Sequence, residues 1–323
     1  MLRAPFFASL IAPLMVGAVS IGLMMQAPAA RAEGVVPVQL RLATGSPEGV
    51  YYEVGSRLQR RVNANLGDHG LLVSTDITSG SQENVRRLLD ARVDLAIVQS
   101  DVLEEANARV LARPQGLTRP PLTALALLME EWFVVVVRDG GPIRDAGGLA
   151  GRRVALGEAG SGTRFTAERV LGLAGVDVGR LRATASGGMS ARADLFCRGR
   201  LDAAAFVFSA PNTVLRRLID RCGARVLSFD APAVGAAYEI APLPASAGAG
   251  PVSTVKVQAA LVQFALDPVL GRKLLEAAFD PIGAAGLNRV QPDGWGFADA
   301  AAIAPLPAAP AAEAFFEAMA GDG

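Results

Sequence analysis

Asp94-Leu95-Ala96-Ile97-Val98-Gln99-Ser100-Asp101 holds four successive apolar residues and then turns polar without a break. A strand apolar on both sides is one buried on both faces, the habit of parallel sheets covered by helices. Its polar exit opens a stretch in which Val102, Ala106 and Val110 recur at helical spacing. Upstream the same unit occurs twice. Val38 to Ala43 alternates, meets the turn Thr44-Gly45-Ser46-Pro47-Glu48-Gly49, and gives way to Val50, Val54, Leu58 and Val62 at helical spacing. Leu71 to Ile77 leads through Thr78-Ser79-Gly80-Ser81 to a helix carrying Val85, Leu88 and Leu89, with Ser79 and Gln82 spaced as a capping box. Strands alternating with helices predict an α/β chain with a parallel sheet, whose ligands sit beyond the carboxyl ends of the strands.

The pattern restarts after Trp132. Val134 to Val137 and Arg153 to Leu156 read as strands, the second running into Gly157-Glu158-Ala159-Gly160-Ser161-Gly162-Thr163 and a helix to Leu173. A helix over Ala191 to Arg198 and a buried strand over Asp202 to Phe208, ending at Ser209-Ala210-Pro211-Asn212, complete a second α/β unit. Val226 to Phe229 is a further strand, followed by a Pro- and Gly-rich passage to Pro251. Helices are expected over Val255 to Leu266 and Pro268 to Phe279, with a loop-rich ending from Pro292. The organisation expected is one lobe over 33–133 plus 233–323 and an inserted lobe over 134–232. The chain would cross between them near Trp132 to Val135 and near Phe229 to Val234.

Residues 1–32 have the marks of a secretory leader: Arg3, an apolar run from Phe6 to Met25, and Ala30-Arg31-Ala32 before Glu33. Whether this segment is cleaved near Glu33 or kept as an anchor, the body is expected outside the cytoplasm, in the periplasm. The next most apolar run, Leu122 to Val137, is interrupted by Glu130 and Glu131 and reads as a strand, a bend and a second strand, not a membrane span.

The charge is balanced at 31 basic and 31 acidic residues, and the basic ones are arginine except Lys256 and Lys273. Such a balance gives no electrostatic footprint for nucleic acid. Gly157 and Gly162 have the spacing of a phosphate loop, but Thr163 and Arg164 follow where that loop needs lysine, which argues against nucleotide hydrolysis. His69, the one histidine, lies in a Gly67-Asp68-His69-Gly70 turn and offers no triad. Glu104-Glu105 and Glu130-Glu131 are adjacent pairs that face different ways and read as solvated charge. No catalytic residue, metal site or cofactor is expected. Cys197 and Cys222 would pair in an oxidising compartment, closing a loop worth about 3 to 4 kcal/mol, or else stay as two buried thiols.

The chemistry that remains is at the strand-to-helix junctions. Ser161, Gly162 and Thr163 place amides and hydroxyls at a positive helix end, where a carboxylate is welcome and where ordinary capping would look the same. Thr44 to Tyr52 and Ser79 to Ser81 repeat that chemistry, and Tyr51 or Tyr52 can wall a cleft.

These motifs, in order, resemble the TAXI family of solute receptors for TRAP transporters: Thr44-Gly45-x-x-x-Gly49-Val50-Tyr51-Tyr52-x-x-Gly55, Thr78-Ser79-Gly80-Ser81-Gln82-Glu83-Asn84, Asp94 to Asp101, Gly160-Ser161-Gly162-Thr163, Gly199-Arg200-Leu201-Asp202-Ala203 and Pro211-Asn212. The resemblance runs from Leu40 to about Phe229; the stretch after Val234 is shortened, and the tail Pro305 to Pro310 matches only loosely. It implies a type II periplasmic-binding-protein fold, two doubly wound α/β lobes joined by a hinge. It implies also a monomeric receptor that closes on a small carboxylate, an amino acid such as glutamate, a dicarboxylate or an oxo-acid, and hands it to a TRAP-type permease driven by an ion gradient. Carried over by motif, the contacts are Thr44, Gly45, Tyr51, Ser79, Gly80, Ser81, Gln99, Ser100, Ser161, Gly162, Thr163 and Asn212, with Arg164 as a carboxylate fork. A rival outcome is a periplasmic ligand sensor docking on a membrane kinase.

Overall fold

The computed structural model describes residues 37–112, 122–183, 187–229, 232–279 and 297–321; the expected leader lies outside them. In chain order the elements are β1 (Val38–Ala43), α1 (Val50–Leu66), β2 (Leu71–Asp76), α2 (Ser81–Leu89), β3 (Leu95–Gln99), α3 (Ser100–Leu111), β4 (Thr123–Arg138), β5 (Arg153–Ala155), α4 (Gly162–Leu173), β6 (Arg182–Ala183) and α5 (Met189–Cys197). They continue with β7 (Ala203–Phe208), α6 (Thr213–Cys222), β8 (Ala224–Val226), α7 (Pro232–Gly235), β9 (Glu239–Pro242), β10 (Ser253–Gln263), α8 (Pro268–Ala278), α9 (Phe297–Ala301) and α10 (Pro310–Gly321).

The strands follow the order β2-β1-β3-β10-β4-β7-β5-β6, with β8 on β4 and β9 on β10. β1 pairs in parallel with β2 and β3, and β5 in parallel with β6 and β7, as the strand-helix alternation requires. β10 is antiparallel to both β3 and β4, and β4 antiparallel to β7. The apolar side chains form separate cores. One runs from Leu40 to Met129 and from Ala259 to Phe316. The others, on either face of the second half of the sheet, lie within Trp132 to Val257.

β4 and β10 belong to both halves. Leu125 to Met129 fill the first core and Phe133 to Val137 the second, on one unbroken strand of 16 residues. The bend expected between two shorter strands is therefore absent. Glu130 and Glu131 fall where the strand leaves one core and enters the next, so polar residues interrupt the apolar run without interrupting pairing. Beside them β10 pairs Val257 with Glu131 and Gln258 with Glu130, and its register shifts between Ala259 and Ala260, a bulge at the crossing.

β10 also corrects the helix expected over Val255 to Leu266. Apolar residues dominate there, alternating with Lys256 and Gln258 and then running unbroken from Ala259 to Val262, and periodicity alone cannot separate a short apolar helix from a buried strand. Two flanking strands, β3 and β4, take its backbone bonds. Val234, Leu243 and Ala247, at or beyond the crossing expected near Phe229 to Val234, pack in the second half. The ending expected as loops holds α9 and α10, and Phe315 and Phe316 of α10 are buried in the first core. The capping box is shifted as well. α2 starts after Gly80 with no side-chain cap, and Glu83 accepts both the amide and the hydroxyl of Ser79, at 2.8 and 2.7 Å, leaving Gln82 free to reach elsewhere.

Cys197 and Cys222 are bonded, so the ends of α5 and α6 are joined across 25 residues. A loop of that length is worth about 3 kcal/mol in the chain-entropy account. Urea unfolding of the Cys197→Ser/Cys222→Ser double variant is expected to show a loss of that order; an unchanged midpoint would contradict it.

Candidate functional site

The carboxyl ends of β1, β2 and β3 face those of β5 and β7, and a cavity of about 160 Å³ lies between them. This is below the roughly 300–1,000 Å³ typical of sites for drug-sized molecules, so its occupant is small. From the first lobe it is lined by Gly45, Tyr51, Ser79, Gly80, Ser81 and Gln99, all expected from the sequence. From the second come Ser161, Gly162, Thr163 and Asn212, likewise expected.

Three expected contacts are elsewhere. Thr44 is fully buried: its hydroxyl donates to the Asp76 carbonyl at 2.8 Å, and its own carbonyl accepts from Thr78 and Asn84, which locks the β1–α1 turn. Ser100 accepts the Gln258 amide at 3.1 Å and belongs to a different groove. Arg164 turns along α4 to pair with Glu168 at 2.8 Å, one helical turn on. Each is used up by a local partner that a motif cannot reveal.

The lobes touch closely, and glycine permits it. A Cβ on Gly162 would lie 1.7 Å from Gln99 Oε1 and 2.9 Å from Ser81 Oγ. Gly160, at φ +85°, would place one 2.7 Å from Ser79 Oγ. Hydrogen bonds cross the same seam. The Glu83 amide donates to the Gly160 carbonyl (3.1 Å) and Gln82 Nε2 to the Ser161 carbonyl (2.9 Å). Deeper, Gln99 Nε2 donates to Thr166 Oγ1 (3.0 Å), whose own proton goes to Asp101 Oδ2 (2.7 Å), and Tyr238 donates to the same oxygen (3.1 Å). Thr166 thus serves as acceptor for one residue of the first lobe and donor for another.

At the start of α4 the Ser161 hydroxyl accepts the Arg164 amide at 3.2 Å and donates to the Glu158 carbonyl at 2.8 Å. The bland capping role is real, then, and the hydroxyl is spent on it. The amides of Gly162 and Thr163, in the first turn, have no carbonyl one turn earlier to bond, so they stay available at the positive helix end.

Among the lining residues the sequence reading missed, two are charged and buried. Arg192 is only 4% exposed, stacks 5.1 Å over the Phe206 ring, and gives one bond, from Nη1 to the Gly187 carbonyl. Its Nε has no partner among the described residues. Burial lowers its pKa to about 10, opposed by Glu158, so it stays charged at neutral pH. A signal existed: Arg192 shares a helix face with Met189 and Phe196, three residues before and four after, an apolar stripe where arginine is out of place.

Glu131, read from the sequence as solvated, is 2% exposed. It accepts the Tyr51 hydroxyl at 2.7 Å, and Ser81 also hydrogen-bonds Tyr51. Burial raises Glu131 to about 7 against the Tyr51 bond, with the charge of Asp101 adding to the rise, and burial raises Asp101 to about 6. Burial and the Glu131 charge also drive the Tyr51 phenol well upward. The continuous apolar run around Glu131 was the clue, since a strand buried on both faces leaves its polar residues nowhere to reach water. Glu130, its neighbour on the opposite face, does pair outward with Lys256 at 3.1 Å.

A two-lobed α/β protein whose paired strands cross between the lobes, with a polar cavity at the facing strand ends, has the type II periplasmic-binding-protein fold. The chain belongs to the NMT1-like family, which it matches over residues 42–317. Among solved structures it is similar to XAC2383 from Xanthomonas citri bound to chloride ion, with TM-score 0.54, 15% identity, and coverage of 88% of this chain and 96% of that one. It is similar also to a protein described as an L-cystine ABC transporter from Listeria monocytogenes, with TM-score 0.51, 13% identity, and coverage of 81% and 98%.

Replacing Gly162 with alanine pushes Gln99 off Thr166 only when the lobes are together. Overpacking costs about 1–3 kcal/mol, so calorimetry is expected to show ligand affinity down about tenfold or more with the melting temperature nearly unchanged; equal affinity would contradict the seam. A second outcome concerns pH. The folded chain holds the Glu131 proton up to about 7, while an unfolded glutamate releases it near 4.5. The native state therefore binds more protons in that window, and stability falls as pH rises through it. Glu131→Gln is expected to flatten the fall in urea midpoints between pH 4.5 and 7; an unaltered slope would contradict the assignment.

Proposed function

We propose that this protein is an extracytoplasmic receptor that captures a small carboxylate-bearing solute between its lobes and delivers it to a TRAP-type secondary transporter. The observation that carries the reading is Arg192, a charged guanidinium buried in the cavity wall that forms no ion pair with a carboxylate among the described residues. An unpaired buried cation is costly, and a ligand carboxylate meeting it beside the free amides of α4 relieves that cost. The expected fork, Arg164, gives way to Arg192 in this role. The small cavity and the seam of cross-lobe bonds support capture by closure.

The lobes in this reading are about 37–130 with 258–321, and 131–257, so β4 and β10 together form the hinge. Delivery to a TRAP permease rests on the ordered motifs from Thr44 to Asn212; the likeness of fold is shared with an ABC-type protein and does not separate the two carriers. The leader-like residues 1–32 support export to the periplasm.

Isothermal titration against amino acids, dicarboxylates and oxo-acids tests the reading. One class is expected to bind, and Arg192→Gln to weaken that binding by at least about thirtyfold, the effect of losing roughly 2 kcal/mol or more from a buried charge pair. Binding that survives this change undiminished would overturn the assignment. In reconstituted vesicles, uptake is expected to collapse with an ionophore and to need no ATP; ATP-dependent uptake would sink the TRAP reading while leaving the receptor intact.

A further inference from the structure

The cavity holds more acid than a simple carboxylate receptor needs. Among the described residues, Glu48, Glu131 and Glu158 line it against one cation, Arg192. The carboxylates of Glu48 and Glu158 stand at its rim, each 3.9 Å from where a Cβ on Gly188 or Gly187 would lie. Glu131 stands at its floor, on the hinge strand, nine-tenths buried, with one oxygen bonded to Tyr51 and no cation beside it. The nearby bases are engaged elsewhere: Lys256 pairs with Glu130 and Glu239, and Arg169 pairs with Glu105 and stacks on Tyr238. A second ligand carboxylate would be repelled by these acids, whereas a positive group would be held by them.

Resting on the receptor reading above, we propose that Glu131 recognises a ligand ammonium while Arg192 takes the carboxylate, so that the solute is a zwitterion of the amino-acid class and not a dicarboxylate or oxo-acid. A metal ion is a poorer candidate for the positive charge, since the described residues contain no group of three His, Cys, Asp or Glu able to hold one. The groups facing Glu131 are Tyr51 from α1, Ser81 from α2 and Asp101 from α3, with Val257 opposite on β10; none supplies positive charge. Burial leaves Glu131 titrating near 7, so an ammonium is needed to keep it ionised and is welcomed most where it already is.

The trial pairs each amino acid with the 2-oxo acid of the same carbon skeleton, for example glutamate with 2-oxoglutarate, measured by calorimetry. The wild type is expected to bind the amino acid at least tenfold more tightly, and Glu131→Gln, which keeps an acceptor for Tyr51, to erase that preference while its melting curve stays cooperative. On the wild type alone, amino-acid affinity is expected to fall by up to about tenfold per pH unit below 7, with no matching fall for the oxo-acid, a readout that needs no variant. Equal or tighter binding of oxo-acids by the wild type, or a preference untouched by Glu131→Gln, would overturn the inference and leave the receptor standing. A wild type that binds neither member of any pair would overturn the receptor reading and this inference with it.

Discussion

Two neighbouring strands, β4 and β10, contribute to the cores of both lobes, and the cavity depends on that sharing. Because each strand is continuous across the boundary, the lobes are held at a fixed register where Val257 faces Glu131 and Gln258 faces Glu130. The ladder between the two strands is bulged between Ala259 and Ala260. Across the seam Gly162 lies against Gln99, and a Cβ at position 160 or 162 would collide with the facing lobe.

The same crossing creates the electrostatics. A strand leaving one core and entering another passes a point where the two apolar clusters meet, and the polar pair Glu130-Glu131 occupies it. One carboxylate turns outward to Lys256; the other turns into the cavity, where burial makes its charge expensive. Asp101 is in a like position behind it, saved by the hydroxyls of Thr166 and Tyr238 from the other lobe. Closure therefore satisfies acids that an open cleft would leave to water, and it couples lobe contact to the protonation of the floor.

The fold was readable from the sequence where periodicity and turns agreed. Strand-helix alternation from Val38 to Val110 and from Arg153 to Asn212 was explicit, and the junctions at Gly45, Ser79 to Ser81 and Ser161 to Thr163 do line the cavity. What escaped was set by tertiary partners. β10 is a strand because β3 and β4 flank it, a fact absent from its own sequence. Thr44, Ser100 and Arg164 have the right chemistry but are consumed by the Asp76 carbonyl, the Gln258 amide and Glu168. Arg192 and Glu131 had no motif at all; only their placement among apolar neighbours, along a helix face for one and a strand for the other, marked them.

A crystal structure of the protein purified without added ligand, with whatever solute it retains, tests the central claim most directly. The account predicts density for a small molecule in the cleft, with a carboxylate within hydrogen-bond distance of Arg192 and the first amides of α4. A solute lying away from Arg192, or seated instead in the groove of Ser100, Arg169 and Tyr238, would contradict it.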